Sequence, residues 1–306
     1  MNILLFGKGG QVGWELQRAL APLGKLTALD FNSSEYCGDF ANPEGIAETI
    51  RRIKPDVIVN AAAVIVNAAA YTAVDKAESE SELAYIVNAE SVGAIASEAK
   101  KIDAWVIHYS TDYVFPGDGD IAKKETDPTN PLNVYGETKL AGEQLLQQHC
   151  EKYLIFRTSW VYAGKGNNFA KTMLRLAKKN VTLSVICDQF GAPTGAELLA
   201  DCTAHAIITA QARPEVAGLY HLVASGVTTW ADYAELVFAQ ARKAGIELAV
   251  KDVRKISTSE YLTPACRPGN SRLSTEKFQT TFNLQLPQWQ VGVKRMLAEL
   301  FTASSL

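Results

Sequence analysis

Tyr135 and Lys139 stand four residues apart in Pro131-Leu-Asn-Val-Tyr-Gly-Glu-Thr-Lys-Leu-Ala-Gly-Glu143, and Ser110-Thr111-Asp112 lies upstream of them. On a helix, positions i and i+4 share a face, so the phenol and the ammonium would point into the same space. A free tyrosine, with a pKa near ~10, is a reluctant proton donor at neutral pH. A neighbouring ammonium and an oxidised nicotinamide both favour phenolate and bring the group toward the range that general acid catalysis prefers. Lys139 then has two jobs, tuning Tyr135 and hydrogen-bonding the nicotinamide ribose. The hydroxyl of Thr111 can orient a ketone oxygen and stabilise the developing alkoxide. The chemistry indicated is hydride reduction of a ketone, with Tyr135, Lys139 and Thr111 as catalytic residues.

A hydride carrier needs a cradle, and the amino terminus offers one. Ile3 to Phe6 reads as a buried strand and Gln11 to Leu23 as a helix, joined by Gly7-Lys8-Gly9-Gly10-Gln11-Val12-Gly13. Glycines at 7, 10 and 13 permit a tight turn and close backbone approach, so a pyrophosphate can sit on the helix amides at Gln11 and Val12. Asp30 ends a second strand, Leu26 to Asp30, where an acid accepts from the adenosine ribose hydroxyl and disfavours a 2′-phosphate. That leans toward NADH over NADPH. Asp39-Phe40 is expected at the adenine, and Tyr109, beside Ser110, among the cofactor contacts.

A helix from Pro43 to Ile53 leads to a strand at Asp56 to Asn60. A long helix from about Asp75 to Lys100, a strand Ala104 to Tyr109, the Tyr135 helix and a strand Tyr153 to Arg157 follow. Strand alternating with helix predicts an α/β fold: a doubly wound parallel sheet of the Rossmann type over residues 1–160. Residues 161–306 read mainly as a smaller, partly interleaved substrate-binding lobe. Its helices are expected at Phe169 to Lys178, Glu197 to Ala210 and Trp230 to Ala244, and Gly218 to Val223 is expected to return to the main sheet.

The chain of 306 residues is 47% apolar with a formal charge of −3. Nothing in it favours nucleic acid or an anionic membrane as partner. Five separated cysteines without a Cys-x-x-Cys pair predict a reducing compartment, and no apolar run reaches the ~20 residues that span a bilayer. A cytoplasmic protein is expected. None of the four histidines forms a close metal-ligand cluster, so no catalytic metal is expected.

Val-Ile-Val-Asn-Ala-Ala-Ala occurs twice in tandem, at 57–63 and 64–70. One strand slot can hold only one copy. With the first copy in the sheet the surplus lies at its carboxyl edge, where ligands bind in open α/β sheets. With the second copy in the sheet the surplus lengthens the opposite connection. The latter arrangement is the expectation.

With these residues in place, the chain resembles the extended short-chain dehydrogenases/reductases, and within them the dTDP-4-dehydrorhamnose reductase family. The matching stretches run nearly end to end: Tyr71-Thr-Ala-Val-Asp75-Lys-Ala-Glu78, Tyr109-Ser-Thr-Asp-Tyr-Val-Phe-Pro-Gly117, Arg157-Thr-Ser-Trp-Val-Tyr162 and Asp188-Gln-Phe-Gly-Ala-Pro-Thr194, besides the glycine and Tyr135 motifs. The resemblance implies NAD(P)H delivering hydride to C4 of a dTDP-4-keto sugar. It implies Tyr135 as proton donor, Lys139 as its partner and Thr111 as tuning hydroxyl. It also implies that Thr111, Asp112 and Trp160 touch the sugar nucleotide and that Ala70, Tyr71 and Thr72 touch the cofactor. It further implies a homodimer, a role in lipopolysaccharide O-antigen biosynthesis, and Mg²⁺ for which Glu15, Glu197 and Glu299 are the candidate ligands. Two residues depart from the family pattern, Tyr71 where histidine is common and Cys266 where a second arginine precedes Arg267-Pro268. Alternatives are another nucleotide-sugar epimerase or dehydratase, against which Asp112-Tyr113 after Thr111 counts, and a non-catalytic cofactor-binding regulatory subunit.

Overall fold

Ile3, Leu4, Leu5 and Phe6 form an uninterrupted apolar run with no polar side to turn to water, so their strand must be covered on both faces. It is: all four are at most 1% exposed, in an interior strand of the sheet. The computed structural model describes residues 1–62 and 74–303. The expectations placed on Ala70, Tyr71 and Thr72 fall outside the described residues.

In chain order the elements are β1 (Asn2–Phe6), α1 (Gln11–Leu20), β2 (Lys25–Leu29), α2 (Pro43–Ile53), β3 (Val57–Asn60), α3 (Val74–Ala77), α4 (Ser81–Tyr85), α5 (Ser91–Lys101), β4 (Trp105–Thr111), α6 (Val134–His149) and β5 (Tyr153–Thr158). They continue with β6 (Val161–Tyr162), α7 (Phe169–Ala177), β7 (Thr182–Ile186), β8 (Phe190–Gly191), β9 (Thr194–Gly195), α8 (Ala196–Ala212), β10 (Gly218–His221), β11 (Thr228–Thr229), α9 (Trp230–Lys243), β12 (Asp252–Ile256), α10 (Glu276–Phe282) and α11 (Trp289–Ala303). Six parallel strands make the main sheet in the order β10-β5-β4-β3-β1-β2. β10 supplies the expected return of the second half to this sheet.

Alternation along the strands divides the core. Ile3, Leu5, Val57, Val59, Ile107 and Tyr109 face α1 and α8. Leu4, Phe6, Ile58, Val106 and Ile155 face α2, α5 and α6. The smaller lobe has its own core, in which Tyr233, Val237 and Phe238 of α9 meet Val293 and Leu297 of α11. Among the described residues no helix is long and apolar enough to cross a membrane.

Two expectations are corrected. The helix expected from Asp75 to Lys100 is broken into α3, α4, a π-helical turn at Ile86–Glu90 and α5. The wide turn occurs where α6 comes close: a Cβ on Gly142 would lie 2.0 Å from the Asn88 carbonyl oxygen, and Asn88 Nδ2 donates to Thr138 Oγ1 at 3.0 Å. A bulged turn at such a contact is a recurrent device at functional sites.

The second correction concerns the repeat. The slot between β1 and β4 is filled by the first copy, Val57–Asn60, in register with Ile3–Phe6 and Trp105–His108. The connection upstream explains the choice. α2 stops at Lys54 in the left-handed conformation (φ 48°), and Asp56 then exchanges backbone and side-chain hydrogen bonds with Asn2. That tight turn leaves no room for seven more residues ahead of β3, and the second copy falls outside the described residues. Ile58→Ala is expected to cost about 2–5 kcal/mol in urea unfolding, as for other buried large-to-small changes. Ile65→Ala, at the equivalent position of the second copy, is the control, and a larger loss there would reverse the assignment.

Candidate active site

The chain leaves β1 in one direction to form β2 and returns on the other side as β3, so β1 and β3 flank the switch point at which open α/β sheets bind ligands. Gly7 sits there with φ +85°, and a Cβ on it would lie 2.7 Å from the Ala62 nitrogen. Gly13 must be glycine for the same reason, its Cβ otherwise meeting the Gly7 oxygen at 1.9 Å. No side chain caps α1 at Gly10, so its first amides face the turn, and the buried Gln11 Oε1 has no partner among the described residues. A helix amino terminus with free amides beside a glycine turn is a pyrophosphate cradle. The residues present therefore fit a dinucleotide.

Asp30 follows β2 directly, with its carboxylate beside Gly9 and one oxygen accepting from Ser33 Oγ at 3.3 Å. That is the expected ribose position. Asp39 and Phe40 also have roles within the fold. Asp39 Oδ1 accepts from the Ala41 amide at 2.9 Å, holding the turn into α2, while the Phe40 ring is buried edge-on against Phe6 at 5.4 Å. Phe40 serves the core, and Val12 packs on the opposite core face. Tyr109 is likewise a core residue, its hydroxyl 2.5 Å from Thr203 Oγ1 on α8, and only its carbonyl faces the site.

α6 begins where Asn133 accepts from the Gly136 amide at 2.8 Å, a side-chain cap that fixes the first turn and with it Tyr135. The Tyr135 ring is half-buried and meets Tyr113 edge-on at 5.6 Å. Burial, and after it the charge of Asp112, pushes the phenol up to about 12, while a hydrogen bond with Thr111 draws it back. Lys139 is aimed elsewhere: Nζ donates to the Tyr109 carbonyl at 2.7 Å and lies 3.4 Å from His108 Nε2. Burial lowers Lys139 to about 8, opposed by the charge of Glu143. The spacing brings Lys139 and Tyr135 into one site, and there the ammonium is anchored on the Tyr109 carbonyl.

Asp112 is buried, accepts from Thr111 Oγ1 at 3.2 Å, and is raised by burial to about 6, with Ser271 and Thr111 hydrogen bonds opposing. Asp112 Oδ2 and the hydroxyls of Ser110, Thr158 and Ser159 are buried without partners among the described residues, all near the carboxyl ends of β4 and β5. Buried polar atoms are seldom left so. They mark where a polyhydroxylated substrate would be satisfied. Trp160 holds a left-handed backbone (φ 50°), stacks on Trp230 at 3.6 Å, and lies so close to Gly191 that a Cβ there would be 2.7 Å from its ring.

Sequence reasoning missed the supports of these groups. Trp230 Nε1 donates to Gln189 Oε1 at 3.0 Å, and Arg267 pairs with Asp75 at 2.8 Å. Gln189 lay inside a quoted motif, but its partner is on a distant helix. Glu15, Glu197 and Glu299 lie on α1, α8 and α11, and the like charges of Glu15 and Glu299 help burial to raise Glu197. Yet Glu15 pairs with Arg18 and Glu299 with Arg295, and no group of three metal-ligating side chains forms among the described residues.

A phenol governed by a threonine hydroxyl, next to a dinucleotide cradle at the switch point of a parallel sheet, defines the class: a short-chain dehydrogenase/reductase fold. More narrowly, the chain belongs to the family described as the RmlD substrate binding domain, whose model matches residues 1–302. It is 71% identical over 306 residues to the dTDP-4-dehydrorhamnose reductase of Escherichia coli (strain K12), covering 100% of both chains. Among solved structures it is similar to a dTDP-4-dehydrorhamnose reductase from Clostridium acetobutylicum, with 33% identity and a TM-score of 0.85 over 98% of this chain and 99% of that one. It is also similar to the dTDP-4-dehydrorhamnose reductase of Bacillus anthracis in complex with NADP, with 33% identity and a TM-score of 0.83 over 97% and 98%.

Proposed function

We propose that the protein reduces the C4 ketone of dTDP-4-dehydrorhamnose to dTDP-L-rhamnose with NADPH or NADH. The observation that carries this reading is the placement of Tyr135 in the first turn of α6, beside Thr111, with buried polar atoms that lack partners among the described residues at the carboxyl ends of β4 and β5. The relatives' names and the NADP complex of one of them support the same chemistry. When bound, the dinucleotide supplies hydride to the carbonyl carbon. Thr111 and Tyr135 hold the carbonyl oxygen, and the Tyr135 hydroxyl proton passes to that oxygen as the alkoxide forms. The Lys139 ammonium lies in reach of the nicotinamide ribose and contributes positive charge that favours the phenolate left behind. Asp112 and Trp160 orient the sugar.

The division at residue 160 belongs to this proposal, with the sugar nucleotide held by the second lobe. So do a cytoplasmic location, supported by five free cysteines, and a homodimer supplying O-antigen assembly, supported by the family resemblance. The test follows loss of absorbance from NADH and NADPH separately with dTDP-4-dehydrorhamnose, and identifies the product. Formation of dTDP-L-rhamnose is expected. Dinucleotide binding with no turnover by either cofactor would favour the regulatory-subunit reading instead.

A further inference from the structure

Asn60 and His108 are register partners on β3 and β4, both 1% exposed, and both face the layer that contains α6. The Ala62 amide donates to Asn60 Oδ1 at 3.0 Å, which fixes the orientation of the side-chain amide. Asn60 Nδ2 is then left 3.0 Å from His108 Nδ1. An amide NH₂ can only donate, so Nδ1 must accept. A neutral imidazole has one donor and one acceptor, and the proton of His108 therefore sits on Nε2. That nitrogen lies 3.4 Å from Lys139 Nζ. An amine has a lone pair to receive the N–H, whereas an ammonium has none.

We propose that Asn60 and His108 are a positioning pair for Lys139: they turn an imidazole N–H toward its nitrogen, favour the amine over the ammonium, and so set the pH at which the site loses its positive charge. The inference rests on the reductase reading and deepens it. Asn60 and His108 touch neither substrate nor cofactor; they act through the lysine. His108 is kept neutral by burial and by the Lys139 charge, so it is not itself a proton donor. The other titratable groups around Lys139 are Glu143, a turn along α6 and held by Arg157 of β5; Tyr135, a turn back; and Asp112 beyond β4. Of these Glu143 supports the ammonium, against the imidazole. The chain Ala62–Asn60–His108–Lys139 also joins the main chain beside Gly7, where the dinucleotide is held, to the reaction centre.

The decisive variant is Asn60→Asp. A carboxylate accepts from both the Ala62 amide and His108 Nδ1, so the imidazole proton moves to Nδ1 and the Nε2 lone pair turns to the lysine. The ammonium is then favoured. Because Lys139 loses its proton before Tyr135, the alkaline limb of kcat for reduction should move up by about one pH unit, the scale of a nearby favourable interaction. His108→Phe, which keeps ring volume but removes the N–H, should move the limb in the same direction. Nitrogen-15 spectra of the histidine ring in the unliganded protein should show the Nε2–H tautomer in the parent chain and Nδ1–H in Asn60→Asp. A limb that stays in place in both folded variants, or an Nδ1–H tautomer in the parent, overturns the proposal. The spectra do not depend on turnover. Failure of the parent chain to reduce the keto sugar would therefore sink the reductase reading while leaving the tautomer result to judge the pair.

Discussion

Tyr135→Phe lowers kcat for keto-sugar reduction by about 10² or more, the ordinary yield of general acid catalysis, while dinucleotide affinity stays near that of the parent. The change removes one oxygen. The ring still meets Tyr113 edge-on, and the Asn133 cap still starts α6. What is lost is the hydroxyl that stands beside Thr111 on the helix face shared with Lys139. Single-turnover reduction with NADPH, beside fluorescence titration of the dinucleotide, separates the two effects. Reduction at the parental rate would assign the proton to another donor, and Asp112, raised to about 6 by burial, would be the next group to replace.

Glu143→Ala is expected to destabilise the fold by about 3–5 kcal/mol, the cost of stripping one partner from a buried ion pair. Glu143 and Arg157 are 1% and 4% exposed and bonded through both carboxylate oxygens, at 2.9 and 2.6 Å. Without the carboxylate, a guanidinium whose Nη1 already lacks a partner among the described residues would be left uncompensated between α6 and β5. Urea unfolding measures the loss. A double replacement, Glu143→Leu with Arg157→Met, should recover much of it, because no charge is then buried alone. If the single variant loses less than about 1 kcal/mol, the pair is hydrated and contributes as surface pairs do.

Much of this protein was legible in its sequence because the relevant signals are local. The apolar run of β1, the glycines at 7 and 13 and the four-residue step from Tyr135 to Lys139 each act within one element or one turn. What escaped depends on partners brought together by the sheet. His108 entered the sequence reading only as one of four histidines outside any metal-ligand cluster; in the fold one ring nitrogen faces Lys139, and only the alignment of β3 with β4 puts Asn60 against the other. Phe40 and Tyr109 were assigned to the cofactor by position in the chain; the Phe40 ring, in the turn before α2, packs into one core layer, and the Tyr109 ring, on β4, into the other. The spacing of Tyr135 and Lys139 was right, yet spacing does not say that a backbone carbonyl of β4 would take the ammonium.

The repeat illustrates the same limit, since both copies present identical side chains and only the Asp56–Asn2 ladder decides between them. This has an evolutionary corollary. Excision of either heptad by in-frame recombination would yield one and the same polypeptide, so the sheet is indifferent to the event. The length of chain that follows β3 can thus drift by whole repeat units without changing any residue that the sheet pairs.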